Sequence, residues 1–119
     1  MTEHEKYFET DCGDGVLKLS YDAVASLVRT AAGEVSGISE AMTAEELPPE
    51  WYGNRGVWLL AGDEPASCRI RLYITVQLGD PITARAAAVQ EKIKNALEAG
   101  TFLKVSKADV YVAGVYFEK

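Results

Sequence analysis

The sequence predicts an α+β fold of two layers, in which two helices pack on one face of a mainly antiparallel four-stranded sheet in the order β-α-β-β-α-β. Two stretches repeat apolar residues every three to four positions, as amphipathic helices do, and one stretch of eleven residues alternates at period two. Two helices on one face of such a sheet is the simplest arrangement that buries both apolar stripes. A chain of 119 residues has the length of one domain.

The composition is that of an ordinary globular protein, with 48% hydrophobic and 25% charged residues. The formal net charge is −6, and residues 1–60 hold four basic and eleven acidic residues, whereas residues 61–119 hold eight and seven. Because phosphate neutralisation supplies most of the affinity for nucleic acids, this balance argues against a nucleic-acid partner. No apolar run reaches the roughly 18–20 residues that cross a bilayer and no secretory signal is visible, so we expect a cytoplasmic protein without direct membrane insertion.

The chain begins with a segment that predicts no packed structure. Residues 1–14 are rich in acids and lead into turn-forming glycines. We therefore expect a flexible acidic N-terminal tail over residues 1–14, followed by a single domain over residues 15–119.

The first strand, over residues 16–19, leads directly into the first helix. Ser20 suits the N-cap of this helix, and Asp22 suits its first turn, where the helix dipole favours an acid. Gly37 is the natural end of the helix, with Gly33 as an earlier alternative. The apolar face consists of residues spaced three and four apart, namely Val24, Leu27, Val28, Ala31 and Val35.

Residues 39–56 form an acidic insert without a regular pattern. Pro48 and Pro49 prevent a continuing helix or a central strand, although residues 44–47 allow a short helical piece. Trp51 and Tyr52 follow, and they either pack onto the domain or belong to a contact surface.

The two central strands predict an antiparallel hairpin. Residues 57–61 form the first strand, and residues 68–78 form the second, with one buried and one polar face. The residues expected to be buried are Cys68, Ile70, Leu72, Ile74, Val76 and Leu78. The residues expected on the polar face are Arg69, Arg71, Tyr73, Thr75 and Gln77.

The second helix has clear boundary signals. Asp80 suits its N-cap, Pro81 suits the first helical position, and Gly100 suits its end. Its inner stripe is expected to contain Ile82, Ala86, Val89, Ile93 and Leu97.

The final strand covers residues 105–117, with a bulge or bend at Gly114. One of its faces carries Ala108, Val110 and Val112, and the other carries Asp109, Tyr111, Ala113 and Val115. The apolar end of this strand, residues 115–117, favours self-association by edge pairing.

The sequence predicts no catalytic, cofactor-binding or metal-binding residues. His4 lies in the expected tail, and Cys12 and Cys68 do not have the spacing of a zinc site. Nucleotide-binding glycine motifs and metalloprotease motifs are missing from the sequence. We therefore expect a protein that is not an enzyme, in which Cys68 is a buried small apolar residue and forms no disulfide with Cys12.

One candidate interaction surface follows from the period-two pattern. Arg69, Arg71 and Tyr73 project from the same face of the long strand, and Tyr111 with Lys107 joins them where the last strand is its neighbour. Trp51 and Tyr52 of the insert complete the candidate set. This face is either solvated and self-associating or, less in keeping with the charge, a base-stacking surface for RNA. A third alternative is a small-ligand carrier with a cleft lined by Trp51, Tyr52 and Trp58.

The ordered set of motifs resembles the alkaline shock protein family, the envelope stress response proteins of Gram-positive bacteria. The resemblance covers residues 15–117. Residues 31–38 resemble the helix end Ala-x-Glu-Val-x-Gly-Val, residues 89–98 resemble the helix Gln-x-x-Val-Lys-x-x-Val-Glu, and residues 105–115 resemble the strand Val-x-x-Val-x-Val-x-Gly-Ile. Gly15 to Ser20, the start of the second strand at Gly56-Val57, and Ile74 to Ile82 complete the order. The acidic insert and residues 100–103 depart from the family pattern.

The resemblance implies a role without catalysis in the response to alkaline and cell-envelope stress. It implies a cytoplasmic protein that self-associates as a homo-oligomer and is held at the membrane by a small membrane-anchoring protein. It brings no cofactor and no catalytic residue.

Overall fold

The computed structural model describes residues 6–40, 47–64, 66–79 and 81–116. They form an α+β fold with two helices, a five-stranded sheet and a separate two-stranded hairpin. In chain order the elements are β1 (Tyr7–Asp11), β2 (Val16–Ser20), α1 (Tyr21–Gly33), β3 (Ile38–Glu40), β4 (Tyr52–Asn54), β5 (Val57–Ala61), β6 (Ser67–Gln77), α2 (Ile82–Gly100) and β7 (Lys104–Tyr116). The α+β class is confirmed. The predicted four-stranded sheet and the order β-α-β-β-α-β are wrong in detail, because they lack β1, β3 and β4 and the larger sheet has five strands.

The long strand β6 is the centre of the five-stranded sheet. Along one edge it pairs in parallel with β7 over its whole length. Along the other edge it pairs antiparallel with β5 and then with β3, and β4 extends the sheet beyond β5. Parallel neighbours need a crossover connection, and α2 provides it between β6 and β7. The predicted β5–β6 hairpin is confirmed.

The N-terminal hairpin corrects the predicted tail over residues 1–14. Residues 7–11 form β1, which pairs antiparallel with β2 through a turn at Gly13, where φ is +87°. Only Phe8 of β1 is buried. The hairpin was missed because one buried residue among five gives no detectable alternation. His4 lies outside the described residues.

Helix α1 begins as the sequence predicts. The Ser20 hydroxyl accepts a hydrogen bond from the Ala23 amide at 3.1 Å, and Asp22 lies in the first turn. The helix ends at Gly33 rather than Gly37. Gly37 instead adopts φ of +80° and leads the chain into β3, and its carbonyl accepts a hydrogen bond from the Gln77 amide at 2.8 Å.

Two short strands lie within the insert predicted as irregular. Strand β3 pairs with the end of β6, and β4 pairs with β5. Each strand has three residues, which is too short for a period-two pattern to stand out. Of the short helical piece predicted at residues 44–47, residues 44–46 lie outside the described residues, and Leu47 is not helical.

The alternation of β6 is largely confirmed. The five residues of the predicted inner set from Cys68 to Val76 are all buried, whereas Leu78 follows the end of β6 and is exposed. Tyr73 is buried although the pattern places it on the polar face. Its ring lies 5.1 Å from the ring of Tyr111, centroid to centroid.

Helix α2 and strand β7 follow the sequence with three corrections. Gly100 ends the helix, and the buried residues of the predicted stripe are Val89, Ile93 and Leu97. Ile82 is exposed, however, and Pro81 precedes the helix instead of starting it. Asp80 lies outside the described residues. The register shifts between the Ile74–Val112 and Thr75–Gly114 pairs, which confirms the irregularity at Gly114. The shift places Val115 beside Val76 on the helix-covered face, opposite to the prediction.

The core lies between the two helices and one face of the sheet, which we call the inner face. It contains the buried stripes of both helices and Val57, Leu59 and the inner residues of β6. Cys68 is one of these buried residues, as predicted, and both cysteines are free thiols. The opposite, outer face has no helix among the described residues.

Candidate interaction surface on the outer sheet face

Three neighbouring strands bring the candidate residues together on the outer face. Arg71 of β6 is paired with Trp58 of β5 on one side and with Asp109 of β7 on the other. Arg69 is paired in the same way with Lys107 of β7. Residues paired across strands point to the same face, so the register alone assembles this surface.

The two arginines lie on aromatic rings. The Arg69 and Arg71 guanidinium carbons lie 5.4 Å and 5.3 Å from the ring centroid of Trp51, and the Arg71 guanidinium carbon also lies 4.7 Å from that of Tyr111. These distances are within the range of cation–π attraction. We call Trp51, Trp58, Arg69, Arg71 and Tyr111 the aromatic–arginine cluster.

The positive charge of the cluster is not neutralised by the described part of the chain. Neither Arg69 nor Arg71 has a carboxylate within ion-pair distance among the described residues, although Asp109 is the register partner of Arg71. With Lys107, this part of the outer face carries three cations and one carboxylate. The surface is therefore locally basic on a chain whose net charge is −6.

Two buried donors of the cluster lack acceptors. The Trp58 Nε1–H and the Arg71 Nε–H are both buried, and neither has a hydrogen-bond partner among residues 6–40, 47–64, 66–79 and 81–116. An unsatisfied buried donor costs about 1–3 kcal/mol. Both donors are shielded from the surface, so they do not by themselves mark a binding site.

Strand β4 supports the cluster through a close contact. A Cβ atom on Gly53 would lie 2.5 Å from Cζ3 of Trp58, so the Trp58 ring occupies the space above this glycine. The absence of a side chain at Gly53 therefore allows Trp58 to lie flat on the outer face beside Arg71. This contact was not predicted from the sequence, because β4 was not predicted.

The candidate set divides in two. The structure brings Trp51, Arg69, Arg71 and Tyr111 together on the outer face, with Tyr73 buried beside Tyr111. Tyr52 does not join them.

Tyr52 packs instead on the helix side of the sheet. Its ring meets the Tyr21 ring edge-on at 5.5 Å, and its hydroxyl donates a hydrogen bond to Oδ1 of Asp22. The Asn54 amide donates to the same oxygen at 2.9 Å, so β4 is joined to the start of α1. The alternation along β4 separates Tyr52 from the outer face.

The chain matches the model of one known protein family over most of its length. The family model of the alkaline shock protein 23 family, described as having a cell envelope-related function, matches residues 9–117. The chain belongs to this family. The resemblance seen in the motifs is thereby confirmed, and the match reaches into β1. No curated protein and no solved structure gives a significant match to the chain.

In this member of the alkaline shock protein 23 family, one cavity has a lining different from that of the predicted carrier cleft. A cavity of about 210 Å³ lies between the end of α1, β3 and the middle of β6. It contains Arg29 and Arg55 but not Trp51, Tyr52 or Trp58. The Arg29 guanidinium already donates to the backbone oxygen and side chain of Asn54, at 3.1 Å and 3.2 Å, so it has a structural role.

The two thiols have different environments. Burial, with a smaller contribution from Glu98, raises the pKa of the Cys68 thiol to about 12, whereas Cys12 is exposed at the hairpin tip. Within the described ranges, no three side chains of His, Cys, Asp or Glu come together as a metal site. No described helix is both long and apolar enough to span a bilayer.

Proposed function

We propose that this chain acts without catalysis, as a protein-interaction module with the cell envelope-related function of its family. In this proposal it self-associates in the cytoplasm and is held at the membrane by a small membrane-spanning protein. The observation that supports the proposal best is the aromatic–arginine cluster, whose arginines have no carboxylate partner among the described residues.

The chemistry of the cluster suits a protein partner. Arginine, tryptophan and tyrosine are enriched at protein interfaces and in their hot spots, because they combine large apolar area with polar groups. Tyr111 is 42% exposed, and Trp51, Trp58, Arg69 and Arg71 are partly exposed. A partner that supplies carboxylate or carbonyl oxygens would satisfy the charge of the guanidinium groups.

Binding of single-stranded RNA is the second candidate, because arginines and aromatic rings lie together on an open sheet face. Two observations make it the weaker one. The face of the Trp51 ring is already covered by guanidinium groups, and the net charge of −6 opposes phosphate. Retention of labelled single-stranded RNA on filters at low salt, and its loss in Arg71→Glu, would favour this candidate.

Site-specific photo-crosslinking in native cells tests the proposal. A benzophenone amino acid is placed at position 111, on the outer face, and in a matched control at position 91, which is exposed on α2. Denaturing purification then keeps only covalent adducts.

The proposal expects adducts at position 111 with a second copy of the chain and with a small membrane protein, and neither adduct at position 91. An RNA adduct at position 111, or equal adducts at both positions, would overturn it. Native cells are needed because the membrane protein must be present at its own concentration.

A further inference from the structure

The N-terminal hairpin β1–β2 is the second unusual surface of the molecule. Three of its apolar side chains are largely exposed: Tyr7 at 45%, Val16 at 55% and Leu17 at 49%. Its tip carries Asp11 and Asp14, both exposed. The hairpin thus presents apolar area next to two carboxylates.

Among the described residues the hairpin contacts the core through Phe8 of β1 and Leu19 of β2. The Phe8 ring stacks on the Tyr21 ring at 4.1 Å, and the Tyr21 amide donates to the Lys6 carbonyl at 3.0 Å. Both strands pair only with each other. The molecule is elongated, with principal extents of 53 × 28 × 24 Å.

The hairpin and the aromatic–arginine cluster complement each other chemically. The tip supplies two carboxylates, and the cluster supplies two guanidinium groups without a described carboxylate partner. The hairpin also exposes apolar side chains, and the cluster exposes the Tyr111 ring. Charge-assisted hydrogen bonds between arginine and carboxylate are among the strongest that proteins make.

The two surfaces lie on different sides of the sheet. The root of the hairpin is held by Tyr21, whose ring contacts Tyr52 on the helix side. The cluster lies on the outer face. A contact between the two surfaces is therefore assigned to two different copies of the chain.

We propose that the β1–β2 hairpin of one copy docks on the aromatic–arginine cluster of the next copy, with Asp11 and Asp14 facing Arg69 and Arg71. This inference rests on the self-association in the proposed function and names its interface. The contact joins unlike surfaces, so a pair of copies still has one free hairpin and one free cluster. Association then continues beyond a dimer, as head-to-tail contacts do when the rotation does not close a ring.

Charge exchange between the two surfaces tests this interface. One variant carries Arg69→Glu and Arg71→Glu, and a second carries Asp11→Lys and Asp14→Lys. A control with the same change of charge as the first carries Thr83→Glu, Ala84→Glu, Ala87→Glu and Ala88→Glu, at four exposed positions of α2. Circular dichroism first shows that each variant is folded, and sedimentation velocity over a concentration series then measures association.

The wild type and the control are expected to form species larger than a dimer as concentration rises. Each charge-reversed variant alone is expected to lose association by at least about tenfold in apparent Kd, because like charges then face each other. An equimolar mixture of the two variants is expected to associate again in alternation, since every contact between the two different variants pairs opposite charges.

Three outcomes would overturn the interface. The first is association of the Asp11→Lys, Asp14→Lys variant as strong as that of the wild type, which would leave the cluster with another occupant. The second is association that stops at a dimer. The third is a wild type that sediments only at 12.9 kDa. The first two outcomes leave the proposed function standing, whereas the third also contradicts its self-association. The membrane-protein adduct at position 111 tests the rest of the proposed function separately.

Discussion

The ring of Phe8 lies parallel to the ring of Tyr21, with centroids 4.1 Å apart and planes 11° apart. Phe8 is the one buried residue of β1, and Tyr21 is the first residue of α1. The edge of the Tyr52 ring then meets Tyr21 at 5.5 Å. Three aromatic rings thus connect the hairpin, the first helix and strand β4.

Replacement of Phe8 by alanine is expected to detach the hairpin without unfolding the domain. Loss of a buried Phe side chain costs about 3–5 kcal/mol in a core, and here it would leave the partly buried Leu19 as the remaining core contact of the hairpin. Hydrogen exchange should show amides of β1 and β2 losing protection while those of β6 keep it. Tyr7→Ala, on the exposed side of the same strand, is the control and should leave the Phe8 contact intact. Loss of protection in β6 to the same extent as in β1 would contradict the expectation.

The part of the fold that the sequence predicts is the part with long, consistent periodicity. Strand β6 alternates over its whole length, and α1 has both a capping serine and an apolar stripe, so local signals and burial agree there. Strands β1, β3 and β4 have five residues or fewer, which is too short for a clear period-two pattern. Strand β3 pairs with β6, which is distant in sequence, whereas β1 and β4 pair with the adjacent strands β2 and β5. The contacts of Phe8 and Tyr52 with Tyr21, which hold β1 and β4 against α1, are tertiary contacts that a local pattern does not contain.

The candidate site was predictable to the same degree. Arg69, Arg71 and Tyr111 follow from period two and from the pairing of neighbouring strands. Tyr52 was misassigned because its face depends on the unpredicted β4, and Tyr73 because Tyr111 packs on it. The role of Gly53 under Trp58 depends on cross-strand register, which no single strand reveals.

Gly53→Ala is expected to destabilise the protein and to disturb the aromatic–arginine cluster. The new methyl group would lie 2.5 Å from the Trp58 ring, so the ring has to move. Overpacking of this kind costs about 1–3 kcal/mol. Denaturant unfolding should show the loss, and the tryptophan emission spectrum of the native state should change.

The control for Gly53 is Gly33→Ala at the end of α1. No atom lies within 4 Å of a Cβ built on Gly33, and alanine favours the helix by up to about 1 kcal/mol relative to glycine. This variant should be as stable as the wild type or more stable. Equal destabilisation by both substitutions would contradict the assigned Gly53–Trp58 contact.

Of the two thiols, that of Cys12 is expected to react in the native protein and that of Cys68 is not. Cys12 is exposed at the hairpin tip, whereas Cys68 is fully buried, and its raised pKa keeps it protonated at pH 8. Because the thiolate is the reactive form, a maleimide should modify about one thiol per chain at this pH, and about two after denaturation. Mass mapping should place the native label on Cys12. Rapid native labelling of Cys68 would show that the core opens near β6.

Alkaline pH is expected to destabilise the fold through Cys68. Its pKa is about 12 in the folded protein, mainly because of burial, against an ordinary value of 9.0. The folded state therefore holds this proton at a pH where the unfolded chain has lost it. The stabilising contribution is complete below pH 9 and is lost progressively as the pH rises towards 12. The buried Tyr21 adds to the effect, since burial and then Cys68 raise its pKa above 10.0.

Urea unfolding of the wild type and of Cys68→Ala at several pH values from 8 to 11 measures this contribution. Cys68→Ala lowers the free energy of unfolding at every pH by removing a buried side chain, so the informative quantity is the slope with pH. One proton corresponds to at most about 1.4 kcal/mol per pH unit, and the variant should lack that part of the wild-type slope. Cys12→Ala, which changes the exposed thiol, should keep the wild-type slope. Parallel slopes for the wild type and Cys68→Ala would mean that the Cys68 thiol ionises without unfolding the protein.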